Sequence, residues 1–251
     1  HTFSGMRSSA TLLPMQEQHS YADGTPGARL DALRESLRDC RGCGLSAGRT
    51  QVVFGAGDPE ARLMFVGEGP GFHEDRQGEP FVGQAGKLLT ELLAGIGLAR
   101  EDVYIANVVK CRPPGNRDPL PVEIEACSPK LMEQIRILRP RVVCTLGRFA
   151  TRLIAQTDAP ITSIRGRAKA AEVAGVPVLI LPVFHPAAAL YTPANKAVLE
   201  EDFQKLRVLL ARGQDALGQD GRKQGAVPAR PVSQEAATGG ALDDGEQLAL
   251  W

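Results

Sequence analysis

Short apolar runs alternate with longer segments of helical period between residues 30 and 210. The apolar runs predict four strands, at 63–66, 103–107, 142–146 and 178–183. Leucine and isoleucine recurring every three or four residues predict five helices, at 31–40, 85–96, 121–138, 147–154 and 195–210. Strands that alternate with helices of this length build βαβ units. We therefore predict an α/β fold, a single domain over residues 30–210 with a central four-stranded parallel sheet flanked by helices.

The segments on either side of this domain differ from it in composition. Residues 1–29 have no periodicity and no sustained apolar or Arg-rich run, so we expect a flexible arm rather than a targeting peptide. Residues 211–251 are rich in Gly, Ala, Gln and Asp, which predicts a disordered tail. No apolar run approaches the roughly 18–20 residues of a membrane span. The chain has 29 basic and 29 acidic residues, which excludes a broadly basic coat for nucleic acid but not a local basic groove.

Chemically useful residues directly follow each predicted strand. The first strand leads into Gly67-Glu68-Gly69-Pro70-Gly71, the second ends at Asn107, and the others lead into Gly147-Arg148 and His185-Pro186. The carboxyl ends of parallel strands lie at one edge of a sheet, and open α/β sheets bind their ligands there. We therefore expect a carboxylate, an amide, a glycine-led helix start and an imidazole to form one site.

Four of the five cysteines suggest a second site. Two residues separate Cys40 from Cys43, and 15 residues separate Cys111 from Cys127. Thiolates at such spacing suit zinc or an iron–sulfur cluster, and spacing alone does not choose between them. The alternative is a redox pair at Cys40 and Cys43 with plain core residues at the other two positions. Cys144 falls within a predicted strand and is interpreted as a small buried hydrophobe.

Four motifs, in this order along the chain, resemble those of family 4 uracil-DNA glycosylases. They are Gly67-Glu68-Gly69-Pro70-Gly71 with Glu74-Asp75, Pro80-Phe81-Val82-Gly83-Gln84-Ala85-Gly86, Asn107-Val108-Val109-Lys110-Cys111-Arg112-Pro113-Pro114 with Asn116-Arg117, and His185-Pro186. The resemblance covers about residues 36–210 and implies the family's four-stranded α/β fold. It also implies a [4Fe–4S] cluster, held at the matching positions Cys40, Cys43, Cys111 and Cys127, which places zinc second.

The activity that this resemblance implies is monofunctional uracil excision in base-excision repair. Such an enzyme flips uracil out of DNA and hydrolyses its N-glycosidic bond, leaving an abasic site. No pocket motif places a lysine for a Schiff base. The short stretch 112–119 has no histidine, which argues against the branch of the family that bonds covalently to DNA. The alternative on the same fold is a catalytically silent iron–sulfur module that binds DNA or senses redox state.

The same resemblance assigns roles to three residues that contact the base. It implies that His185 donates to uracil O2 and stabilises the departing anion, that Asn107 reads the uracil edge, and that Phe81 stacks on the ring. The alternatives are a core or helix-capping histidine at His185, a turn residue at Asn107 and ordinary core packing at Phe81. Only for Phe81 is the alternative preferred without the resemblance.

Four further residues receive roles around the sugar and the base. Glu68 is expected to orient water or to stabilise positive charge on the sugar, and Gly69 to let the backbone approach the base. Glu74 is a candidate for guarding the uracil C5 position against a thymine methyl group. Asn116 is a candidate for assisting the water or a phosphate. Glu74 and Asn116 are otherwise interpreted as solvated loop residues.

DNA contacts are predicted from arginines and from the segment after His185. The arginines are Arg112, Arg117, Arg148, Arg165 and Arg167, with helix amides that begin near Gly147. The alternative for 165–167 is a solvated charged turn. Leu190 or Tyr191 is expected to fill the space that the flipped base leaves, and the sequence does not choose between them.

The last five residues are abruptly apolar. Gln247-Leu248-Ala249-Leu250-Trp251 resembles the short peptide by which bacterial repair and replication proteins bind the sliding clamp. We expect Leu248, Leu250 and Trp251 to fill an apolar groove of the clamp while Gln247 makes a polar anchor. The alternative is that this segment folds back onto its own domain. Otherwise we expect a monomer without membrane contact, cytoplasmic in a bacterium and nucleoid-associated when it acts.

Overall fold

The structure, a computed structural model, describes residues 24–216, with side chains to residue 211. The predicted clamp-binding peptide at 247–251, residues 1–23 of the predicted arm and most of the predicted tail lie outside this range. Within it, no helix is long and apolar enough to cross a membrane.

The described residues form one mixed sheet of six strands. The strands are β1 (Ala56–Gly57), β2 (Leu63–Gly67), β3 (Tyr104–Asn107), β4 (Val142–Leu146), β5 (Lys169–Val173) and β6 (Val176–Val183). Their spatial order is β1-β3-β2-β4-β6-β5. The neighbours among β3, β2, β4 and β6 pair in parallel, which confirms the four predicted strands. The prediction of a four-stranded sheet is corrected to six, because β1 and β5 add an antiparallel strand at each edge.

The two edge strands have no sequence signal that would predict them. β1 is only two residues long and pairs with β3. β5 is mostly exposed, with a single buried residue, Val173, so it lacks the alternating apolar pattern of a half-buried strand. It forms a hairpin with β6 across a two-residue connection. Neither strand contributes an end to the predicted site.

Eight α-helices accompany the sheet within residues 24–216. They are α1 (Pro26–Ser36), α2 (Phe72–Gln77), α3 (Gln84–Ala94), α4 (Pro121–Leu138), α5 (Arg148–Ala155), α6 (Ile161–Ile164), α7 (Ala187–Tyr191) and α8 (Ala194–Ala216). The helices α2, α6 and α7 are short and were not predicted. α1 begins earlier than predicted because Thr25 caps it, its hydroxyl accepting from the Ala28 amide at 3.3 Å, and Pro26 opens its first turn. α1 and α8 extend past the predicted domain limits at 30 and 210.

The alternation of side chains along the strands produces two apolar layers. Met64 and Val66 of β2 pack on one face, with buried residues of α1, α4 and α5. Leu63 and Phe65 of the same strand pack on the other face, with buried residues of α3 and α8. Helices therefore cover both faces of the sheet, which explains why its central strands are buried throughout.

The order of the strands determines where a ligand can bind. β2 lies between β3 and β4, and the chain reaches β3 through α3 on one face and returns to β4 through α4 on the other. A doubly wound sheet opens a crevice at such a reversal, outside the carboxyl ends of the strands. Gly67, Asn107 and Gly147 all lie at or just after these ends.

Candidate active site

Gly67, the last residue of β2, lets two functional side chains approach each other. A Cβ atom at this position would lie 2.4 Å from Asn107 Oδ1 and 2.6 Å from the Phe81 ring. Any other residue would therefore displace the amide or the ring. In the sequence, Gly67 stands out only as a residue at a strand end and in a glycine-rich motif, because close approach of segments distant in sequence leaves no local pattern.

Asn107 ends β3 with its side chain buried and one oxygen unpaired. The residue is 1% exposed, and Oδ1 has no hydrogen-bond partner among residues 24–216. Leaving a buried acceptor unpaired costs about 1–3 kcal/mol, so such groups are rare unless a ligand completes them. The geometry suits an N–H donor on a planar ring stacked against Phe81.

Phe81 occupies a turn that Glu74 holds in place. The phenylalanine has a left-handed backbone, with φ of 55°, which is strained for a bulky residue. The Glu74 carboxylate accepts hydrogen bonds from the amides of Val82 at 2.9 Å, Gly83 at 2.8 Å and Gly71 at 3.2 Å. Both of its oxygens are thus engaged with the backbone. The structure shows Glu74 in a positioning role, and its predicted role as a guard of uracil C5 stays a prediction.

Arg100 supports the same turn from the opposite end of α3. Its Nη1 donates to the carbonyl oxygen of Phe81 at 3.0 Å, and its Nη2 donates to that of Pro80. Arg100 was not predicted, because nothing near it in the sequence distinguishes it from other surface arginines. Glu74 and Arg100 together stabilise a conformation that the phenylalanine would not adopt alone.

His185 follows β6 and faces Phe81, their ring centroids 5.4 Å apart. Its Nδ1 accepts from the Ala187 amide at 3.2 Å, so the proton of the neutral ring resides on Nε2. Burial lowers the pKa of the imidazole to about 4, although Glu74 opposes the shift. His185 is therefore a neutral N–H donor at physiological pH. Gly147, with φ of 84°, makes room for it, since a Cβ there would lie 3.1 Å from His185 Cβ.

Glu68 lies in the loop after β2, where its surroundings shift its pKa. Burial, and next the negative charge of Asp118, raise the pKa of Glu68 to about 7, while Arg148 opposes them. Arg148 and Asp118 form an ion pair at the rim of the site. Gly69 follows Glu68 in the same loop. The Val109 amide holds this loop by donating to the carbonyl oxygen of Glu68 at 3.1 Å. A carboxyl group with a pKa near neutrality in a cleft is a candidate acid or base.

Asn116 is buried next to Arg112, in the loop between β3 and α4. Its Oδ1 accepts from Arg112 Nε at 2.6 Å, and its backbone is left-handed, with φ of 54°. The interpretation as a solvated loop residue is therefore wrong for its position, because only 8% of the residue is exposed. Its role toward water or phosphate stays a prediction.

The five predicted DNA-contacting arginines have different surroundings. Arg117 makes two hydrogen bonds, of 2.9 and 2.6 Å, to the buried carboxylate of Glu123. Arg165 pairs at 2.7 Å with Asp202, which is fully buried. Both arginines neutralise a buried acid, so each has a structural role whatever its part in DNA binding. Arg167 is exposed.

Leu190 and Tyr191 lie on α7, directly after His185-Pro186. Leu190 is 46% exposed and Tyr191 is 56% exposed. Both therefore lie close to the imidazole in sequence and are accessible to a partner.

The structure brings four of the five cysteines to one cavity. Cys40, Cys43, Cys111 and Cys127 line it. Cys144 is fully buried in β4, as predicted. Among residues 24–216, no three or more His, Cys, Asp or Glu side chains form a group that could hold a single metal ion.

Cationic and polar donors surround the sulfur atoms. Arg49 Nη1 lies 3.5 Å from Cys111 Sγ, and the Lys110 amide donates to Cys127 Sγ at 3.3 Å. Lys110 and Lys130 also line the cavity. Burial raises the pKa of the Cys111 thiol to about 11, while Arg49 lowers it. A cavity lined by four cysteines, an arginine and two lysines fits an anionic cluster, and isolated core cysteines would not require these cations.

Lys110 connects this cavity to the strand end that carries Asn107. Its side chain is buried, and Nζ donates to the Asn107 carbonyl oxygen at 2.9 Å and to Gln134 Oε1. Gln134 in turn donates to the Phe54 carbonyl at 2.9 Å. In the sequence, Lys110 stands out only as part of a motif. The structure shows that it anchors the backbone between the cavity and the amide.

The chain is similar to known proteins over most of its length. The sequence profile of the Uracil DNA glycosylase superfamily matches residues 54–207. The chain is 48% identical over 185 residues to a type-4 uracil-DNA glycosylase of Sulfurisphaera tokodaii, covering 72% of this chain and 84% of the relative. It is 47% identical over 192 residues to that of Archaeoglobus fulgidus, covering 75% and 96%. It is 48% identical over 187 residues to that of Saccharolobus solfataricus, covering 72% and 87%.

Proposed function

Because the chain belongs to the uracil-DNA glycosylase superfamily, we propose that it excises uracil from DNA by hydrolysing the N-glycosidic bond. The observation that supports this most directly is the unpaired, buried Oδ1 of Asn107 beside the Phe81 ring. A catalytically silent DNA-binding module would not need an unsatisfied acceptor in its interior. The test is release of free uracil from an oligonucleotide that contains it. Binding without any abasic product would favour the silent module.

Recognition of the base follows from the hydrogen-bonding pattern of its edge. A flipped uracil stacks on Phe81 and presents N3–H as a donor and O4 as an acceptor. Asn107 complements both, because its Oδ1 accepts and its Nδ2 donates. Cytosine presents the opposite pattern, with an acceptor at N3 and a donor at N4. The pocket therefore distinguishes uracil from the base that produces it by deamination.

Cleavage of the bond separates charge, and the site has a group for each charge. The N1–C1′ bond breaks with its electron pair passing to uracil, which becomes anionic, while the sugar becomes cationic. His185 Nε2–H donates to the developing charge at O2. A water oxygen then bonds to C1′ and its proton passes to Glu68 or to solvent. Glu68 in its ionised form also stabilises the cationic sugar.

Replacing Asn107 by aspartate is expected to weaken uracil excision and to admit cytosine. A carboxylate offers no N–H to uracil O4, whereas it accepts well from the cytosine amino group. Sites built to hydrogen-bond a substrate discriminate by about 10⁴–10⁵ against a partner that leaves buried groups unpaired. Single-turnover excision of uracil and of cytosine from otherwise identical single strands measures the change. Unaltered preference for uracil would show that Asn107 is not the reader.

The rate of excision is expected to decrease as the pH is lowered through the pKa of Glu68. Since that pKa is about 7, the ionised form decreases about tenfold per pH unit below it, or about 100-fold from pH 8 to pH 5. His185 does not produce this decrease, because its pKa is about 4 and it stays neutral throughout. Single-turnover rates of the wild type and of Glu68→Gln across this range provide the measurement. A Gln variant with the same acid limb would assign the limb to another group.

The four-cysteine cavity is proposed to hold a [4Fe–4S] cluster on Cys40, Cys43, Cys111 and Cys127. When bound, such a cluster would cross-link three segments, namely the loop after α1, the loop after β3, and α4. Its role would be structural, and it would not act on the base. Arg49, Lys110 and Lys130 offset the negative charge of a thiolate-ligated cluster. The donor set is all sulfur, which suits iron–sulfur chemistry.

The remaining predictions concern DNA contact and partners. We propose that Arg112, Arg148 and Arg167 contact the DNA strand, while Arg117 and Arg165 act mainly through their carboxylate partners. Leu190 and Tyr191 remain the alternatives for the wedge. We also keep the prediction that Gln247, Leu248, Leu250 and Trp251 bind a sliding clamp. The monomeric state, the cytoplasmic and nucleoid-associated location, and the limits of the arm and the tail stay predictions as well. Titration of a bacterial clamp with the full chain and with a chain that lacks residues 246–251 tests the clamp prediction.

A further inference from the structure

An exposed aromatic ring with two arginines beside it lies at the start of α2. Phe72 is 42% exposed. The guanidinium carbons of Arg112 and Arg76 lie 5.1 and 5.4 Å from its ring centroid. The His73 ring meets its edge at a centroid distance of 5.4 Å. A single exposed phenylalanine needs no explanation. An exposed ring with guanidinium groups beside it offers two kinds of planar surface on which an unpaired base can stack.

The ring is firmly connected to the uracil pocket. Gly71, immediately before Phe72, donates to Glu74, and the same carboxylate holds the turn that carries Phe81. From the other side, Arg112 is fixed by its hydrogen bond to Asn116 in the loop after β3. The exposed ring and the pocket thus share their supports.

The electrostatic character of α2 suits a DNA strand. Its two acidic residues both accept hydrogen bonds from backbone amides. Glu74 binds those of 71, 82 and 83, and buried Asp75 binds the Thr50 amide at 2.9 and 3.1 Å. Arg76, by contrast, is exposed on the same helix. The helix therefore presents an aromatic ring and a cation to solvent while its carboxylates are occupied.

We propose that Phe72, Arg76 and Arg112 form a binding site for an unpaired base that flanks the flipped uracil. The proposal rests on the proposed function and adds a preference to it. A base that is already unpaired, in a single strand or a loop, occupies the site without breaking a pair, whereas a paired base must first be opened. The protein therefore binds uracil more tightly in single-stranded than in fully paired DNA, and Phe72 causes the difference.

The experiment measures binding of Phe72→Ala, Phe72→Trp and a control to a DNA that is not cut. The probe is an oligonucleotide with one 2′-fluoro-deoxyuridine, because the fluorine destabilises the cationic sugar. Fluorescence anisotropy gives Kd for the single strand and for its duplex. Val208→Ala is the matched control, since Val208 is 43% exposed on α8 and outside both sites. We expect Phe72→Ala to weaken single-strand binding about 5- to 150-fold, with a smaller effect on the duplex. Phe72→Trp and Val208→Ala should bind as the wild type does.

A second readout locates the stacked base. 2-Aminopurine placed on either side of the uracil is quenched when it stacks, and we expect quenching on one side that Phe72→Ala removes. Equal Kd values for wild type and Phe72→Ala would overturn the proposal. So would an equal loss for single strand and duplex accompanied by a lower Tm, which would mean a structural role. Uracil release by the wild type is measured separately, so that a failed site and a failed proposed function remain distinguishable.

Discussion

Replacing His185 by alanine is expected to lower the single-turnover rate of uracil release by about 100- to 1,000-fold with little change in DNA affinity. Loss of one donor to a developing oxyanion costs about 2.7–4 kcal/mol in comparable sites. The imidazole donates more strongly as uracil becomes anionic, so its contribution appears in the rate rather than in binding. The structure orients it for this purpose, because the Ala187 amide occupies Nδ1 and leaves the proton on Nε2.

The neutral state of His185 sharpens this prediction. Since its pKa is about 4, alanine removes an N–H dipole and not a cation, and the fold-loss should be the same at every pH between about 6 and 8. His185→Gln, which keeps an N–H donor, should retain part of the lost rate. Binding of an uncut analogue provides the affinity. A rate that stays within a few-fold of wild type in His185→Ala would place the catalytic donor elsewhere.

The sequence predicted the central sheet and the position of the site for a physical reason. Buried parallel strands are continuous apolar runs, and the residues that follow them must meet at one edge. Asn107 and His185 could therefore be placed in one site before the fold was seen, whereas their roles were implied by the family resemblance. β5 could not, because an edge strand with one buried residue has no apolar pattern. The number of strands in the sheet was underestimated for the same reason.

The support of the site was less predictable than its contents. Glu74 is close to Phe81 in sequence, yet its three bonds to backbone amides depend on the path of residues 80–83. Arg100 and Gly67 act through contacts with residues distant in the chain, which spacing does not reveal. Likewise, nothing in the sequence indicates that Glu123 and Asp202 are buried beside Arg117 and Arg165, so these two ion pairs could not be predicted. Residue type predicted the chemistry, and only tertiary structure revealed what holds it in place.

Replacing Cys127 by alanine is expected to remove the cluster and to lower stability more than it damages the pocket. Wild-type protein should be brown, with about four irons and four sulfides per chain, and the variant should have lost most of both. Cys127 lies on α4, and the other cysteines of the cavity lie in the loops after α1 and β3, so a cluster would join three segments. Losing it frees those segments, while Phe81 and His185 keep their own supports.

Cys144→Ala is the matched control, because it removes an equally buried thiol from β4, outside the cavity. It should retain full iron and sulfide and lose less in Tm than Cys127→Ala. Uracil release by the folded fraction of Cys127→Ala should remain closer to wild type than that of His185→Ala. A Cys127→Ala protein that stays folded and fully loaded would remove Cys127 from the ligand set. If the wild-type protein is colourless and contains one zinc per chain, the site is a zinc site and not a cluster. Zinc has no visible absorption, and a single ion needs only four ligands.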